Sequence, residues 1–126
     1  MKRIVLAEDA PKPVGPYSQA VISDKFVFCS GQIGIDPATG RLVEEGLEAE
    51  TRQCLSNLEH VLAAIGLITR NVVKTTVFVT DIEDLKRINE IYACHFKKDP
   101  PARSIFEVSK LPLDAKIMIE AIAESY

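Results

Sequence analysis

Residues 116–123, with the sequence KIMIEAIA, constrain the fold most, because they predict a strand that is apolar on both faces. Side chains alternate across a strand, so successive residues belong to opposite faces. One face carries Ile117, Ile119, Ala121 and Ala123, and the other carries Met118, Glu120 and Ile122. Two helices can cover only one face of such a sheet. The second face therefore needs a further layer, which an oligomer can supply.

Two stretches have the spacing of amphipathic helices. Residues 45–65 repeat apolar side chains along one stripe, and Gly66 follows as a stop signal. Residues 82–96 repeat them after Asp81, which is a suitable N-cap. The stripe of the second stretch consists of Ile82, Leu85, Ile88, Tyr92 and Phe96. We therefore expect two helices, each with one buried face.

Further strands are predicted between and around these helices. Residues 72–80 are dense in β-branched side chains, residues 26–30 are apolar, and residues 17–22 are expected to pair with them as a hairpin. Residues 103–108 follow a proline pair that ends the second helical unit. With residues 116–123 as the last strand, this order of elements predicts an α+β fold with two helices packed on a sheet.

The length and charge of the chain exclude several classes of protein. A chain of 126 residues suits one domain, residues 1–126. A net charge of −3 with scattered basic residues offers no basic face for phosphate contacts, so we expect no nucleic-acid partner. The apolar run at residues 4–7 is too short for a signal peptide or a membrane span. We therefore expect a cytoplasmic protein without a membrane partner.

Cysteine and histidine do not occur at metal-ligand spacing. Cys29 lies in a predicted strand and Cys54 on the apolar stripe of the first helix, so both are expected to be reduced core residues. Cys94 and His95 are adjacent in a helix and point about 100° apart, so they cannot easily share a metal ion. His60 has no partner at ligand spacing. We therefore expect no metal site.

Glu120 is the most informative single residue, because it lies between Met118 and Ile122 on an otherwise apolar face. Burying a carboxylate there is unfavourable unless it has a partner or a chemical task. Loss of bulk water would increase its affinity for a proton and suit it to general-base catalysis. Taken alone, however, the residue fits a structural ion pair at an interface better.

Arg103 starts a predicted strand directly after a rigid proline pair and Ala102. Its fork of donors suits a substrate carboxylate, although an isolated arginine is more often a solvated surface residue. A role in binding therefore needs support from other residues.

Four smaller residues are candidates for a binding pocket. Tyr17 and Ser30 place hydroxyls next to turns, and Gly31 permits a close approach of a ligand to the backbone. Asn89 lies beside the apolar stripe of the second helix, where it can border a pocket or satisfy backbone groups. For each of these residues alone, an ordinary structural role is the commoner explanation.

In combination, the segments are more specific than any single residue, and the chain resembles the Rid family of reactive-intermediate deaminases over essentially its whole length. The matching segments, in order, are GPYSQ from Gly15, SGQI from Ser30, VKTTVFV from Val73, PARS from Pro101, EV at Glu107, LP at Leu111 and IEAIA from Ile119. Within the family the chain looks like the RidA-type 2-iminobutanoate/2-iminopropanoate deaminases. The PARS segment is typical of the catalytically active branch.

The resemblance implies a chorismate-mutase-like fold, in which a six-stranded mixed β-sheet packs on two α-helices. It also implies a homotrimer with sites in the clefts between subunits. The implied reaction is hydrolysis of small enamines and imines, such as 2-aminoacrylate, 2-iminopropanoate and 2-iminobutanoate, to 2-oxo acids and ammonia. No metal or organic cofactor is implied.

The resemblance also assigns roles to residues of this chain. Arg103 would bind the substrate carboxylate, Glu120 would hold and activate water, and the backbone carbonyl of Ile105 would help to hold that water. The pocket would be lined by Tyr17, Ser30, Gly31 and Asn89. Many relatives have cysteine at the position of Ile105, so we expect activity to depend on the carbonyl and not on the side chain.

Three other functions stay open at this point. One is a non-catalytic, ligand-binding regulatory trimer. Another is an RNA-directed translation inhibitor or ribonuclease, as described for some relatives, although the acidic balance and the lack of a suitable histidine pair disfavour it. A chorismate mutase is suggested by fold alone, which is weak ground.

Overall fold

Strands and helices follow the predicted order in the computed structural model, which describes residues 1–125. The strands are β1 (Arg3–Val5), β2 (Ala20–Ser23), β3 (Phe26–Gln32), β4 (Ile35–Asp36), β5 (Arg41–Leu42), β6 (Val72–Val79), β7 (Ala102–Glu107) and β8 (Ile117–Glu124). The helices are α1 (Leu47–Ala63) and α2 (Leu85–His95). The α+β architecture predicted from the sequence is confirmed.

The main sheet has six strands in the order β1-β2-β3-β8-β6-β7. Strands β6 and β7 are parallel and are joined through α2, whereas the other neighbours are antiparallel, so the sheet is mixed as predicted. Strands β4 and β5 form a separate small hairpin around a turn at residues 36–40. The strand β8 is central, and its residues therefore have neighbours on both sides.

The two helices cover one face of this sheet, which we call the inner face. Alternate residues of β8 are buried there, and Val77 of β6 and Leu55 of α1 belong to the same core. Cys29 and Cys54 are also buried in it, as predicted. The hydrophobic stripe of α1 is thus placed against the inner face, which fixes the orientation of both layers. Within residues 1–125, no helix is long and apolar enough to cross a membrane.

The opposite face, here called the outer face, keeps apolar side chains that no helix covers. Its members on the central and edge strands are Phe28, Phe78, Phe106, Met118, Glu120 and Ile122. Phe28 and Phe106 are exposed, and the rings of Phe78 and Phe106 stack with centroids 6.2 Å apart. The apolar second face predicted from the alternation in β8 is therefore present.

Most element boundaries differ from the predictions by a few residues, and three differences are informative. Helix α1 begins at Leu47, after Gly46 with a φ of 101°, and not at Glu45. A 3-10 turn at Ile82–Asp84 delays the start of α2, while Asp81 caps that turn by accepting a hydrogen bond from the backbone of Glu83. Strand β1 was not predicted, because three residues at a sheet edge carry too little alternation to be recognised.

Candidate active site

Arg103 lies on the inner face of β7, where α2 orients its guanidinium. Its Nη1 donates a hydrogen bond of 2.8 Å to Oδ1 of Asn89. Its Cζ lies 4.8 Å from the centroid of the Tyr92 ring, a distance at which the cation and the ring attract each other. Asn89 and Tyr92 are three residues apart on α2 and therefore share one side of the helix. The predicted role of Asn89 at the border of a pocket is thus tied to the orientation of Arg103.

Tyr92 is held in turn by a buried hydrogen bond. Its hydroxyl lies 2.6 Å from the hydroxyl of Thr75, which is fully buried and is the Cα partner of Arg103 in the sheet. Burial raises the pKa of Tyr92, so its hydroxyl stays protonated at neutral pH. Among the described residues, Arg103 has no carboxylate partner. Its remaining donors are therefore available to an anionic ligand.

Glu120 lies on the outer face, within a polar row that crosses the apolar surface. Thr76 of β6 is its Cα partner, and Ser104 of β7 is in turn the partner of Thr76. The hydroxyl of Ser104 accepts a hydrogen bond of 3.0 Å from Nζ of Lys74. In the single chain Glu120 is exposed, and Met118 and Ile122 flank it as predicted. Its carboxylate can therefore contact a ligand only from the outer side of the sheet.

A β-bulge faces Glu120 from the neighbouring strand. Between the pairs Cys29–Ala121 and Gln32–Ile119 the register of β3 against β8 shifts, so Ser30 and Gly31 together oppose one residue, Glu120. Bulges of this kind occur next to active sites, where they redirect side chains. The Ser30 hydroxyl donates a hydrogen bond of 2.6 Å to the carbonyl of Ser18, which fixes the bulge to the preceding loop.

Gly31 is required by close packing on the outer face. A Cβ atom at this position would lie 2.6 Å from Sδ and 2.8 Å from Cγ of Met118, well inside contact distance. The absence of a side chain thus lets Met118 lie directly against the backbone next to Glu120. The predicted close approach of a ligand to Gly31 stays a prediction, because the group that approaches it within the chain is Met118.

An apolar cleft of about 500 Å³ opens beside the bulge and includes Tyr17 and Gly31 in its lining. Its walls also contain Pro11, Val14, Ile33, Ile35, Pro112, Leu113 and Met118. The loop that carries Pro11 is held by the buried amide of Gln19, which donates to the carbonyls of Ala7 and Pro11 and accepts from the N–H of Ala7. Ordered by these bonds, the loop supplies one wall of the cleft.

The candidate residues therefore form two groups in one chain. Tyr17, Ser30, Gly31 and Glu120 lie on or beside the outer face, whereas Arg103 and Asn89 meet on the helix side. Ile105 belongs to the second group, since it pairs with Val77 and its side chain packs against the inner core. The resemblance implied that all of these residues belong to sites in clefts between subunits, and the sequence itself assigned a sheet face only to Glu120.

The three cysteines and His95 lie outside both groups. Burial raises the pKa of Cys29 to about 12 and holds that of Cys54 well above its usual value, so both thiols are unreactive core groups. Cys94 is exposed, and Nδ1 of His95 lies 3.1 Å from Oε1 of Glu59. Within residues 1–125, no cluster of three histidine, cysteine or acidic side chains is arranged to hold a metal ion.

Sequence reasoning gave no functional role to three residues that lie beside the candidate residues or the cleft. Tyr92 was assigned only to the apolar stripe of α2, although its spacing from Asn89 was a usable signal. Met118 was noted only as a neighbour of Glu120. Leu113, which lines the cleft, carried no signal, because no sequence pattern predicts its left-handed backbone conformation.

Comparisons with known proteins agree with the motifs. The family model described as Endoribonuclease L-PSP matches residues 7–125. A RutC family protein of Pyrococcus horikoshii is 47% identical to this chain, and the match covers 98% of each chain. The human 2-iminobutanoate/2-iminopropanoate deaminase is 46% identical, and the match covers 98% of this chain and 90% of the human protein. The crystal structure of a candidate endoribonuclease from Thermotoga maritima superposes with a TM-score of 0.97 at 47% identity, covering 100% of this chain and 99% of the other. The chain therefore belongs to the Rid family, as its motifs predicted.

Proposed function

We propose that this protein hydrolyses reactive 2-imino acids and their enamine tautomers to 2-oxo acids and ammonia. The observation that carries the proposal is an arginine with free donors, held by Asn89 and Tyr92, in a chain that also presents Glu120 beside a bulge and a cleft. The name of the human relative supports the same reaction. The proposal includes no metal or organic cofactor, because a carboxylate anchor and a base that positions water are the groups it assigns to this hydrolysis.

In this proposal, binding and chemistry are divided between two residues. Arg103 binds the substrate carboxylate through its free donors, in a charge-assisted contact that positions the imine carbon. Glu120 accepts a proton from the water that attacks this carbon. The backbone carbonyl of Ile105 helps to hold the water, and the pocket is completed by Tyr17, Ser30, Gly31 and Asn89.

The reaction needs only these groups. An enamine such as 2-aminoacrylate first tautomerises to the imine. The oxygen of water then forms a bond to the imine carbon while the C=N π electrons move to nitrogen, which takes up a proton. The resulting carbinolamine loses ammonia as its hydroxyl proton departs, and the 2-oxo acid remains. Exclusion of bulk water by a closed site would favour the single positioned water.

We further propose that the site is completed in a homotrimer. Arg103 and Glu120 belong to opposite faces of one sheet, so one chain cannot direct both at the same small molecule. The apolar outer face with Phe28 and Phe106 also needs cover, and another copy of the chain is the simplest source. Light scattering at micromolar concentration is expected to give three times the mass of the chain, and a monomer mass would contradict this.

The function is tested by imine hydrolysis with the purified protein. Imines are formed in situ from serine or threonine by a dehydratase, and release of ammonia is compared with the uncatalysed rate. We expect clear acceleration, and a rate equal to the uncatalysed one would favour a regulatory, ligand-binding protein. The RNA-directed alternative, suggested by the family description, is tested on the same preparation with single-stranded RNA. We expect the protein neither to bind nor to cleave this RNA.

We also propose that the protein is located in the cytoplasm.

A further inference from the structure

Lys74 places a cation on the apolar outer face, and the proposed reaction gives it no role. It is partly buried in the single chain, and its Nζ donates a hydrogen bond of 3.0 Å to the hydroxyl of Ser104. Among the residues that the structure describes, Lys74 makes no ion pair. A single hydroxyl compensates only part of the hydration that an ammonium group loses on burial. If a second copy of the chain covers the outer face, Lys74 therefore needs a carboxylate partner.

The register of the sheet places Glu120 diagonally opposite Lys74. Lys74 pairs with Ile122 of β8, and Thr76, the next outer-face residue of β6, pairs with Glu120. Diagonal neighbours on one face of an antiparallel pair lie about 7–8 Å apart, within reach of long side chains. Ser104 is the diagonal neighbour of Lys74 on the other side, because it pairs with Thr76 from β7. A side chain that reaches Ser104 is therefore long enough to reach Glu120.

No other charge of the outer face competes for this pair. Glu124 is the other acidic residue of β8 on this face, and it lies 3.2 Å from Nζ of Lys25. Strands β3 and β7 contribute no charged residue to the outer face. Two neighbouring opposite charges, Lys74 and Glu120, thus lack an ion-pair partner within residues 1–125. Covering the face with a second copy would remove water from both and strengthen their attraction.

We infer that Lys74 is a positioning residue for Glu120. In the assembled protein its ammonium group forms an ion pair with the carboxylate and directs it toward the attacking water. An ammonium group has three donors, so the hydrogen bond to Ser104 can be kept. A carboxylate has two oxygens, so one can accept from Lys74 while the other contacts the water. The inference rests on the proposed function, because it concerns the base of that same reaction.

Three substitutions of Lys74 separate its charge from its hydrogen bond. Lys74→Gln keeps a donor for Ser104 without the charge, Lys74→Met loses both, and Lys74→Arg keeps the charge. Lys25→Met is the matched control, because it removes the lysine that contacts Glu124 on the same face of β8. The imine is formed in situ from serine by a dehydratase, and kcat and KM are measured on the oligomeric fraction of each variant after light scattering.

We expect kcat to fall about 10- to 100-fold in Lys74→Gln and Lys74→Met with KM nearly unchanged, as for a misplaced reacting group. Lys74→Arg should recover most of this loss, and Lys25→Met should keep the wild-type kcat. An equal loss in Lys25→Met would contradict a specific role for Lys74. Neutral variants of Lys74 that assemble poorly but turn over normally once assembled would make it a structural residue and overturn the inference.

The decisive measurement is made in the Glu120→Gln background. If Lys74 acts only through the carboxylate, adding Lys74→Gln there should leave the already reduced kcat unchanged. The same fold loss in both backgrounds, or wild-type kcat in Lys74→Gln alone, would overturn the inference and leave the proposed function standing. Absence of imine hydrolysis by wild type would reject both.

Discussion

Arg103 and Glu120 lie on opposite faces of the same sheet. Thr75 of β6 is the Cα partner of both Arg103 and Ala121, and the next residue, Thr76, is the partner of both Ser104 and Glu120. Arg103 and Glu120 are therefore aligned with successive residues of β6, which point to opposite faces of the sheet. Since residues paired across neighbouring strands share a face, Arg103 points to α2 and Glu120 points away from it. In the proposed reaction, a small substrate that contacts both would lie between two copies of the chain.

Replacement of Arg103 tests the proposed carboxylate contact. Arg103→Ala is expected to lose nearly all activity with the oligomer intact, because loss of a charge-assisted contact weakens transition-state binding by about 2–5 kcal/mol. Arg103→Lys should retain only part of the wild-type activity, because the ammonium group of lysine is a point charge and lacks the planar guanidinium that also stacks on Tyr92. Arg87→Ala, an exposed arginine of α2 paired with Glu48, serves as the control and should retain activity. Near wild-type kcat/KM in Arg103→Ala would exclude this residue from the site.

Replacement of Glu120 separates catalysis from structure. Glu120→Gln keeps the shape but loses the basicity, so kcat should fall by ~10²–10⁴-fold while KM changes little. Glu124→Gln is the matched control, because Glu124 lies on the same strand and face and contacts Lys25 at 3.2 Å. The control should retain kcat. If Glu120→Gln instead lowers the melting temperature and leaves kcat unchanged, its role is structural.

Substitutions of Gly31 and Met118 should have non-additive effects on kcat/KM. In Gly31→Ala the new methyl group would contact Sδ of Met118, which must move toward the cleft or displace the bulge next to Glu120. We expect kcat/KM to fall on the order of 10- to 100-fold, as for small displacements of reacting groups. Adding Met118→Ala removes the clash and should recover part of the loss, which a double-mutant cycle measures. Strictly additive losses would contradict the packing described for this pair.

The cysteines give a prediction about pH. At pH 8 a thiol reagent should label only Cys94 in the folded protein, and all three thiols after denaturation. Because burial raises the pKa of Cys29 to about 12 from 9.0, its contribution to folding stability is complete below pH 9 and is lost as the pH rises toward 12. The difference in unfolding free energy between wild type and Cys29→Ala should therefore shrink between pH 9 and pH 12. A constant difference would mean that Cys29 is not buried as described.

Much of the fold could be predicted because its signals are local. The apolar stripe that ends before Gly66, the β-branched run in β6 and the alternation in β8 each reside in one short segment. The relation between Arg103 and Glu120 could not be predicted, because it depends on the register of β7 and β8 against β6. A slip of one residue in either register would bring the two residues to the same face. The bulge at Ser30 and the left-handed turn at Leu113 depend on tertiary packing in the same way.

The central claim is a site shared between copies, and mixing two inactive variants tests it most directly. Arg103→Ala and Glu120→Gln are co-expressed with different tags, and the mixed oligomers are isolated and assayed for imine hydrolysis. If each site takes Arg103 from one subunit and Glu120 from its neighbour, one of the three sites in every mixed trimer, about a third, regains both residues. We therefore predict about a third of the wild-type kcat for the isolated mixed trimers. Activity no higher than that of either variant alone would contradict the shared site.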